Sequence, residues 1–390
     1  MKDFVFRTPT RIEVGPGRLN RIGHFLAEKG LRKILLLEDS RVSELGLADP
    51  LIETLERSSI SYELFDGIRS EPTVKEFDEL AVRFKMGIPF DGVVGLGGGS
   101  VLDLAKMLSV AEAFAGSIKP YLGRGTIGKR NKYLALIPTT SGTGSEATPN
   151  AVLNDEEDRC KKAIVGDCLI PDLAILDPQL MISLPAVVTA ETGLDALTHG
   201  IECFICKKSN AMSDIFALEC VKLVAGNLRR AVQDGTDQEA RYYMSLASLY
   251  GGIAIANSGT GGVHALAYPL GGEYRIGHGL SNAILLSDVM DFNAEAVPDR
   301  ILQIGSAMGL DRPKHGSRLQ VNQVLAEIRS LVRDVGIKLI DRRFTEEMID
   351  ALARSAMSVE RLLANNPKPI RFKDAKEIYR RALLGGTDTG

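Results

Sequence analysis

Cysteine and histidine are scarce in this chain, at five each in 390 residues. The cysteines, Cys160, Cys168, Cys203, Cys206 and Cys220, are odd in number and scattered, which excludes a disulfide-framed scaffold. The opening MKDFVFRTPTRIEVG has no apolar h-region, so no secretory signal is expected, and reduced thiols in a cytoplasmic protein are. There is no basic tract: 47 basic residues stand against 50 acidic ones, for a net charge of −3. That excludes the electrostatic footprint of a nucleic-acid or anionic-lipid surface. Internal repeats and low-complexity linkers are also missing. One long uncharged run, Tyr242 to Gly272, invites a membrane reading, but Asn257, Ser258, Thr260, His264, Pro269 and its many glycines make a poor hydrocarbon-phase helix. What remains is the balance of a globular protein long enough for two domains, 45% apolar and 25% charged.

Two halves emerge from the hydrophobic patterning. Up to about residue 185, apolar β-rich runs (KILLLED at 33–39, ISYELFDG at 60–67, DGVVGLGG at 91–98, KYLALIPTT at 132–140, LAILDP at 173–178) alternate with helical periodicity such as VKEFDELAVRFKM at 74–86. Strand–helix alternation predicts an α/β domain over 1–185 with a parallel sheet covered on both faces. Beyond it long helical patterns take over, including SDIFALECVKLVAGNLRRAVQ and EEMIDALARSAMSV. Residues 186–390 are therefore expected to form an all-helical domain, packed closely enough on the first to leave a ligand cleft.

Three of the five histidines gather with one aspartate. Asp195 and His199 stand four apart in GLDALTHGIE, a spacing that puts both side chains on one helix face. His264 and His278 frame HALAYPLGGEYRIGH, long enough to leave one helix and present a second imidazole. One carboxylate and three imidazoles suit a first-row divalent metal, with Fe, Zn, Ni and Co all open by ligand type. His24 and His315 lack clustered partners and read as surface or capping residues. Cys203 and Cys206 form a C-x-x-C without a second pair, and read as small buried hydrophobes.

Phosphate chemistry is suggested upstream. In DGVVGLGGGSVLDLAK a strand ends at Gly95, Gly97, Gly98 and Gly99 follow, and a helix starts near Ser100. Glycines admit a pyrophosphate close to the backbone, and the helix start offers N–H donors and a favourable dipole. Alone, such a turn serves a ligand-free strand-to-helix connection equally well. The Rossmann pattern places an acidic residue about 20 positions after its glycines. Here Asp39 lies upstream instead, at the end of KILLLED, where it would favour NAD over a 2′-phosphate. A second loop, IPTTSGTGSEATPNAV, sets Thr139, Thr140 and Thr143 directly after a strand, where hydroxyls suit phosphate or ribose. Two such loops upstream of a metal quartet favour a dinucleotide.

GGGSVLDLAK, PTTSGTGSEAT, GLDALTHGIE and HALAYPLGG–GHGLSNAILL occur in one order. Together they resemble the iron-containing, or group III, alcohol dehydrogenase family. The likeness runs from FVFRTPTRIEVGPG to RLLANNPKPIRFKDAKEIYRRAL. It implies a dehydroquinate synthase-like, Rossmann-like N-terminal domain that binds NAD(P), a helical metal-binding C-terminal domain, and a homodimer or larger homo-oligomer. The implied metal is iron, sometimes zinc, on Asp195, His199, His264 and His278. The implied dinucleotide contacts are Asp39, Gly97, Gly98, Gly99, Ser100, Asp103, Thr139, Thr140, Thr143 and Lys161, with Lys162 adjoining. The chain departs from the family in three places. Tyr268 stands where many members carry a histidine of the proton relay, giving an HxxxY pattern. Glu71 replaces a common asparagine, and Gly277 replaces a common proline. The expected reaction is NAD(P)-linked interconversion of an alcohol with an aldehyde or ketone. Rival readings are a glycerol-dehydrogenase-like or dehydroquinate-synthase-like enzyme, or a silent nucleotide-binding protein.

Overall fold

Short apolar runs bounded by glycine or polar residues become strands in the first half of the chain. In the computed structural model, residues 3–68, 72–85, 89–114, 116–123, 127–157, 160–311, 318–337 and 344–384 are described; Glu71 and His315 lie outside them. Eight strands form among these residues: β1 (Arg11–Val14), β2 (Lys33–Asp39), β3 (Ser61–Ile68), β4 (Gly92–Gly97), β5 (Tyr133–Pro138), β6 (Asn150–Asp155), β7 (Cys160–Val165) and β8 (Leu173–Leu176). Six of them make a parallel sheet in the order β1-β8-β5-β4-β2-β3.

The apolar runs are near-continuous because both faces of this sheet are covered. Along β2, Leu35 and Leu37 enter one core cluster while Ile34 and Leu36 enter the other. Register then fixes the functional edge. Leu96 of β4 pairs with Glu38 of β2, and Gly97 pairs with Pro138 of β5. The carboxyl ends of β2, β4 and β5 thus lie side by side, carrying Asp39, the glycines and Thr139. The chain also reverses direction across the sheet between β2 and β4, the place where open α/β sheets bind ligands.

Beyond the parallel sheet, β6 and β7 form an antiparallel hairpin, where the sequence suggested only the tail of a polar loop. Its first strand does alternate between half-buried and buried positions, Asn150 to Asp155. That period-2 signal is short, and the run of hydroxyl residues before it hides its start.

The chain divides into two compact units, Arg7–Ser183 and Leu184–Gly390, the second including Met1–Phe6. The ring of Phe6 stacks on Phe216 in this second unit, with centroids 5.7 Å apart. Helices Ala186–Ile205, Ala211–Gln233, Gln238–Ser258, Gly262–Tyr274 and His278–Asn293 surround its core. The uncharged run 242–272 is shared between two of them. Among the described residues no helix is long and apolar enough to cross a membrane.

Glycines set the closest helix contacts. A Cβ on Gly200 would lie 2.9 Å from the Ala217 carbonyl oxygen, and one on Gly279 only 2.3 Å from that of Glu191. Cys203, Cys206 and Cys220 are buried in this core, each with Sγ within hydrogen-bonding reach of a backbone carbonyl or, for Cys203, beside Cys206. Burial pushes the Cys220 thiol up to about 12, which suits a packing role rather than redox work.

Candidate active site

Asp195 and His199 occupy successive turns of the Ala186–Ile205 helix and face the same way. His264 lies in the first turn of Gly262–Tyr274, and His278 opens the next helix. Gly279 brings that last helix start against the backbone at Glu191, one turn before Asp195, so His278 can reach the cluster. The four side chains each offer one ligand atom, and these atoms lie within 4.8 Å of one another. Asp195 Oδ1 is 3.5 Å from Nε2 of His199, 3.8 Å from that of His264 and 3.7 Å from that of His278. Four donors at about 2.1 Å from one tetrahedral ion would be about 3.4 Å apart, so the set has the span of a single ion.

The chemistry of the donor set also fits a cation. Glu202 Oε2 lies 2.6 Å from His264 Nδ1, which makes Nδ1–H the donor and, in the neutral ring, leaves a lone pair on Nε2 turned toward the Asp195 carboxylate. An anionic carboxylate among three imidazole nitrogens draws positive charge to this point, and the Asn282 amide Nδ2 already turns toward it, 3.3 Å from Nε2 of both His264 and His278. Asn282, one turn beyond His278, donates from Nδ2 to Asp195 Oδ1 at 2.7 Å, while its own Oδ1 is buried without a partner. Burial pushes the Asp195 carboxyl up, but the imidazoles and the Asn282 amide outweigh it and hold it below the ordinary range. Without a cation the same attraction falls on a proton: burial opposes the charged form of His264, and Glu202 followed by Asp195 more than reverses that, so a metal on Nε2 would displace a proton. Asp195, His199 and His264 are almost fully buried, whereas the His278 side chain is 31% exposed, so the cluster opens to solvent along His278. The half-buried Tyr268 lies at that side, its ring 6.1 Å from that of His278. His24 is an exposed residue paired with Glu28.

In the other unit the two polar loops touch. Thr139 N–H donates to the Gly97 carbonyl at 3.0 Å. A Cβ on Gly99 would meet Thr143 Cγ2 at 2.7 Å, and one on Gly97 would meet Val101 at 2.5 Å. Gly99 is therefore required by the approach of the two loops, and Gly97 by the helix that follows it. A Cβ on Gly98 would meet only Thr140, at 3.6 Å, so Gly98 presents bare backbone at the start of the Gly99–Ser109 helix. Ser100 lies in the first turn of that helix. Asp39 ends β2 as a half-buried N-cap, accepting from Val42 N–H at 2.9 Å. Lys161 and Lys162 point to opposite faces of β7, and Lys162 Nζ bonds Asp155 at 2.9 Å.

Asp103 is occupied differently from the simple expectation of a ligand contact. Its carboxylate accepts from Ser145 Oγ at 2.5 Å and from Val152 N–H at 2.9 Å. Lys106, one turn on, is fully buried and donates to Ser145 Oγ (2.7 Å), Thr148 Oγ1 (2.9 Å) and the Asn150 carbonyl (2.7 Å), with Asp103 at 3.6 Å. The pair Asp103–Lys106 thus fastens the glycine-loop helix to the hydroxyl loop and β6. Lys106 was not among the residues singled out from sequence, although its i, i+3 spacing from Asp103 places both on one helix face.

Glu146, next to Ser145, is buried with neither oxygen hydrogen-bonded, and burial raises its carboxyl to about 7. A carboxyl whose folded pKa is raised stabilises the fold fully below its ordinary value near 4.5, and that contribution is lost as the pH rises through 7. Glu146→Gln is expected to flatten the decline of stability between pH 4.5 and 7.5, removing on the order of 2 kcal/mol of it. Melting temperatures across that range test this; an unchanged slope would clear Glu146 of the effect. Lys106, lowered to about 8 by burial, acts in a separate window, with stability gained as the pH rises from 8 toward 10.5.

Comparison with known proteins bears on both units. Residues 9–178 match the family described as iron-containing alcohol dehydrogenase, and residues 189–383 match the Fe-containing alcohol dehydrogenase family, C-terminal. The chain is 38% identical over 382 residues to long-chain-alcohol dehydrogenase 1 of Geobacillus thermodenitrificans (strain NG80-2), covering 97% of this chain and 96% of that one. It is 34% identical to choline dehydrogenase of Bacillus subtilis (strain 168), over 98% and 96% of the two chains. A solved structure of a 1,3-propanediol oxidoreductase superposes with a TM-score of 0.93 at 32% identity, over 98% of this chain and 100% of that one.

Proposed function

The chain belongs to the iron-containing alcohol dehydrogenase family, and from that premise we propose that Asp195, His199, His264 and His278 hold one divalent metal, Fe(II), beside an NAD-dependent hydride transfer. The enzyme is an oxidoreductase that interconverts an alcohol with an aldehyde or ketone. The convergence of four donor atoms within 4.8 Å carries the metal assignment. Bound there, the ion would supply Lewis acidity toward the substrate oxygen, and the nicotinamide would take or give the hydride.

The protein's own residues do the rest. Asp195 contributes the negative charge that leaves a divalent site at net +1. Burial of three of the four donors keeps water from them, and the exposed flank of His278 is where a substrate oxygen can enter. Gly98 and the adjoining threonines Thr139, Thr140 and Thr143 offer backbone and hydroxyl donors to phosphate and ribose. Gly97 and Gly99 shape that loop, Ser100 begins its helix, and Asp103 holds it to the hydroxyl loop. Of the two adjacent lysines, Lys162 bonds buried Asp155, and Lys161, on the opposite face of β7, is assigned to the ribose.

NAD is favoured over NADP by local charge. Asp39 ends β2, and Asp66, Asp39 and Asp49 all lie close enough to Glu38 to act on its carboxyl, which burial already raises. A 2′-phosphate beside them would meet repulsion, whereas a ribose hydroxyl can donate to Asp39. Elemental analysis of the purified protein, with an NADH absorbance assay on alcohols, aldehydes and hydroxy acids, tests the whole reading. Absence of bound metal in a fully active preparation would overturn it. Relatives of comparable likeness are named for a long-chain alcohol and for choline, so the substrate class is set no more narrowly than a small-molecule alcohol or carbonyl.

Tyr268 takes the relay position near His278. A phenol with an ordinary pKa near 10 exchanges a proton only with help from neighbouring positive charge. Tyr268→Phe is expected to change the pH dependence of kcat and lower its maximum about tenfold or more, with metal content intact. An unaltered pH–rate profile would remove Tyr268 from proton transfer.

A further inference from the structure

We propose that Glu202 is a positioning residue for the metal centre: it locks the His264 ring with Nε2 facing Asp195 while holding the helix end that carries His264. The inference rests on the reading of Asp195, His199, His264 and His278 as metal ligands. Glu202 lies in the same helix as Asp195 and His199, seven and three residues further on, and is 1% exposed. Its Oε2 is 2.6 Å from His264 Nδ1, and its Oε1 accepts from Val263 N–H at 2.6 Å. His264 N–H also points to Oε2, at 3.4 Å.

These backbone groups are in the first turn of Gly262–Tyr274, where N–H donors have no partner inside the helix. The N-cap there is Gly261, which has no side chain to offer. The carboxylate arrives instead from the Ala186–Ile205 helix, and it does so at the point where a negative charge is favoured by the helix dipole. One buried group therefore satisfies two constraints. A flip of the imidazole would exchange Nδ1 for a carbon and forfeit a charge-assisted bond between two buried side chains. With Nδ1 committed to Glu202, the lone pair of Nε2 has a fixed direction, and a carboxylate partner makes that nitrogen a stronger donor.

Asn366 separates the two roles. Its Oδ1 accepts from Gly262 N–H at 3.1 Å, so it braces the same helix end without touching the His264 ring. The full-length protein, its Glu202→Gln variant and its Asn366→Ala variant are stripped of metal and titrated with Co(II) against a chelator. Glu202→Gln is expected to weaken Co(II) binding by roughly 10–100-fold and to shift the visible absorption bands of the bound ion. Asn366→Ala is expected to lower the melting temperature while leaving affinity and bands in place. The proposal is overturned if Glu202→Gln binds Co(II) with the affinity and spectrum of the parent. It is equally overturned if Asn366→Ala weakens binding as much, since Glu202 would then act only as a helix cap. Should Glu202→Gln fail to fold, Glu202→Asp keeps the charge but draws it back by one methylene, and the same two readouts apply. A parent protein that takes up no Co(II) would sink the ligand reading itself, a result distinct from parent-like binding by the variant.

Discussion

His264→Ala and His278→Ala are each expected to leave the protein without retained metal after dialysis, with turnover lower by about a thousandfold or more. Lewis-acid stabilisation of the reacting oxygen is worth several kcal/mol, and each 1.4 kcal/mol or so is tenfold in rate. The two variants should differ in what else they lose. His264 is buried between Glu202 and Asp195, so its removal takes the ring N–H from Glu202 Oε2, leaving that carboxylate only backbone donors, and lowers stability as well. His278 is partly exposed, and its loss leaves fewer buried groups unpaired. Metal content by elemental analysis, steady-state rates and a denaturation curve for each variant check all three quantities. Full activity in a variant that holds no metal would end the metal-dependent reading.

Lys106→Ala is expected to cost about 3–5 kcal/mol of stability near neutral pH, the range seen when one partner of a buried ion pair is removed. The ammonium is fully buried, and it satisfies Ser145, Thr148 and the Asn150 carbonyl at once. Without it, the Asp103 carboxylate keeps only Ser145 and a backbone N–H against the desolvation that already raises its pKa. The cavity adds to the cost. Function should suffer too, because the lysine ties the glycine-loop helix to the loop bearing Thr139, Thr140 and Thr143. Weaker NADH binding, read by fluorescence titration at a temperature where the variant is folded, is the expected companion. Lys106→Met fills most of the volume and isolates the charge: it should recover part of the stability but not the lost hydrogen bonds. A variant within 1 kcal/mol of the parent in denaturant unfolding would contradict the importance given to this ammonium.

Much of this was legible in the sequence. The runs became β2, β4, β5 and β8 because a sheet interior covered on both faces needs near-continuous apolar residues, while the more polar ISYELFDG became the edge strand β3. The i, i+4 spacing of Asp195 and His199 gave the shared helix face directly. The sequence could not by itself say that His264 and His278, on two other helices, turn toward that face. Helix packing decides this, and it depends on Gly279 meeting the backbone at Glu191. Glu202 and Asn282 escaped notice although the same periodicity contains them: Glu202 is seven residues past Asp195, and Asn282 is four past His278. Buried polar residues of this kind look like ordinary surface positions until the neighbouring helix is placed. Lys106 was hidden for the same reason, since a lysine in a helical pattern is ordinarily solvated. The β6–β7 hairpin was obscured by the hydroxyl-rich loop that leads into it.

The four donor atoms come from three helices, one of them far from the other two along the chain. An ion held by all of them would act as a removable cross-link, closing a long loop between His199 and His264 and a shorter one between His264 and His278. Tying such loops restricts the unfolded chain more than the folded one, so metal binding there would add to the resistance of the whole helical unit to unfolding. Glu202 stands astride the longer of those loops, gripping from one helix the first turn of the next. The same carboxylate that aims a ligand therefore also fastens the longer loop before any ion arrives, and the site is in part assembled by the fold that it later reinforces.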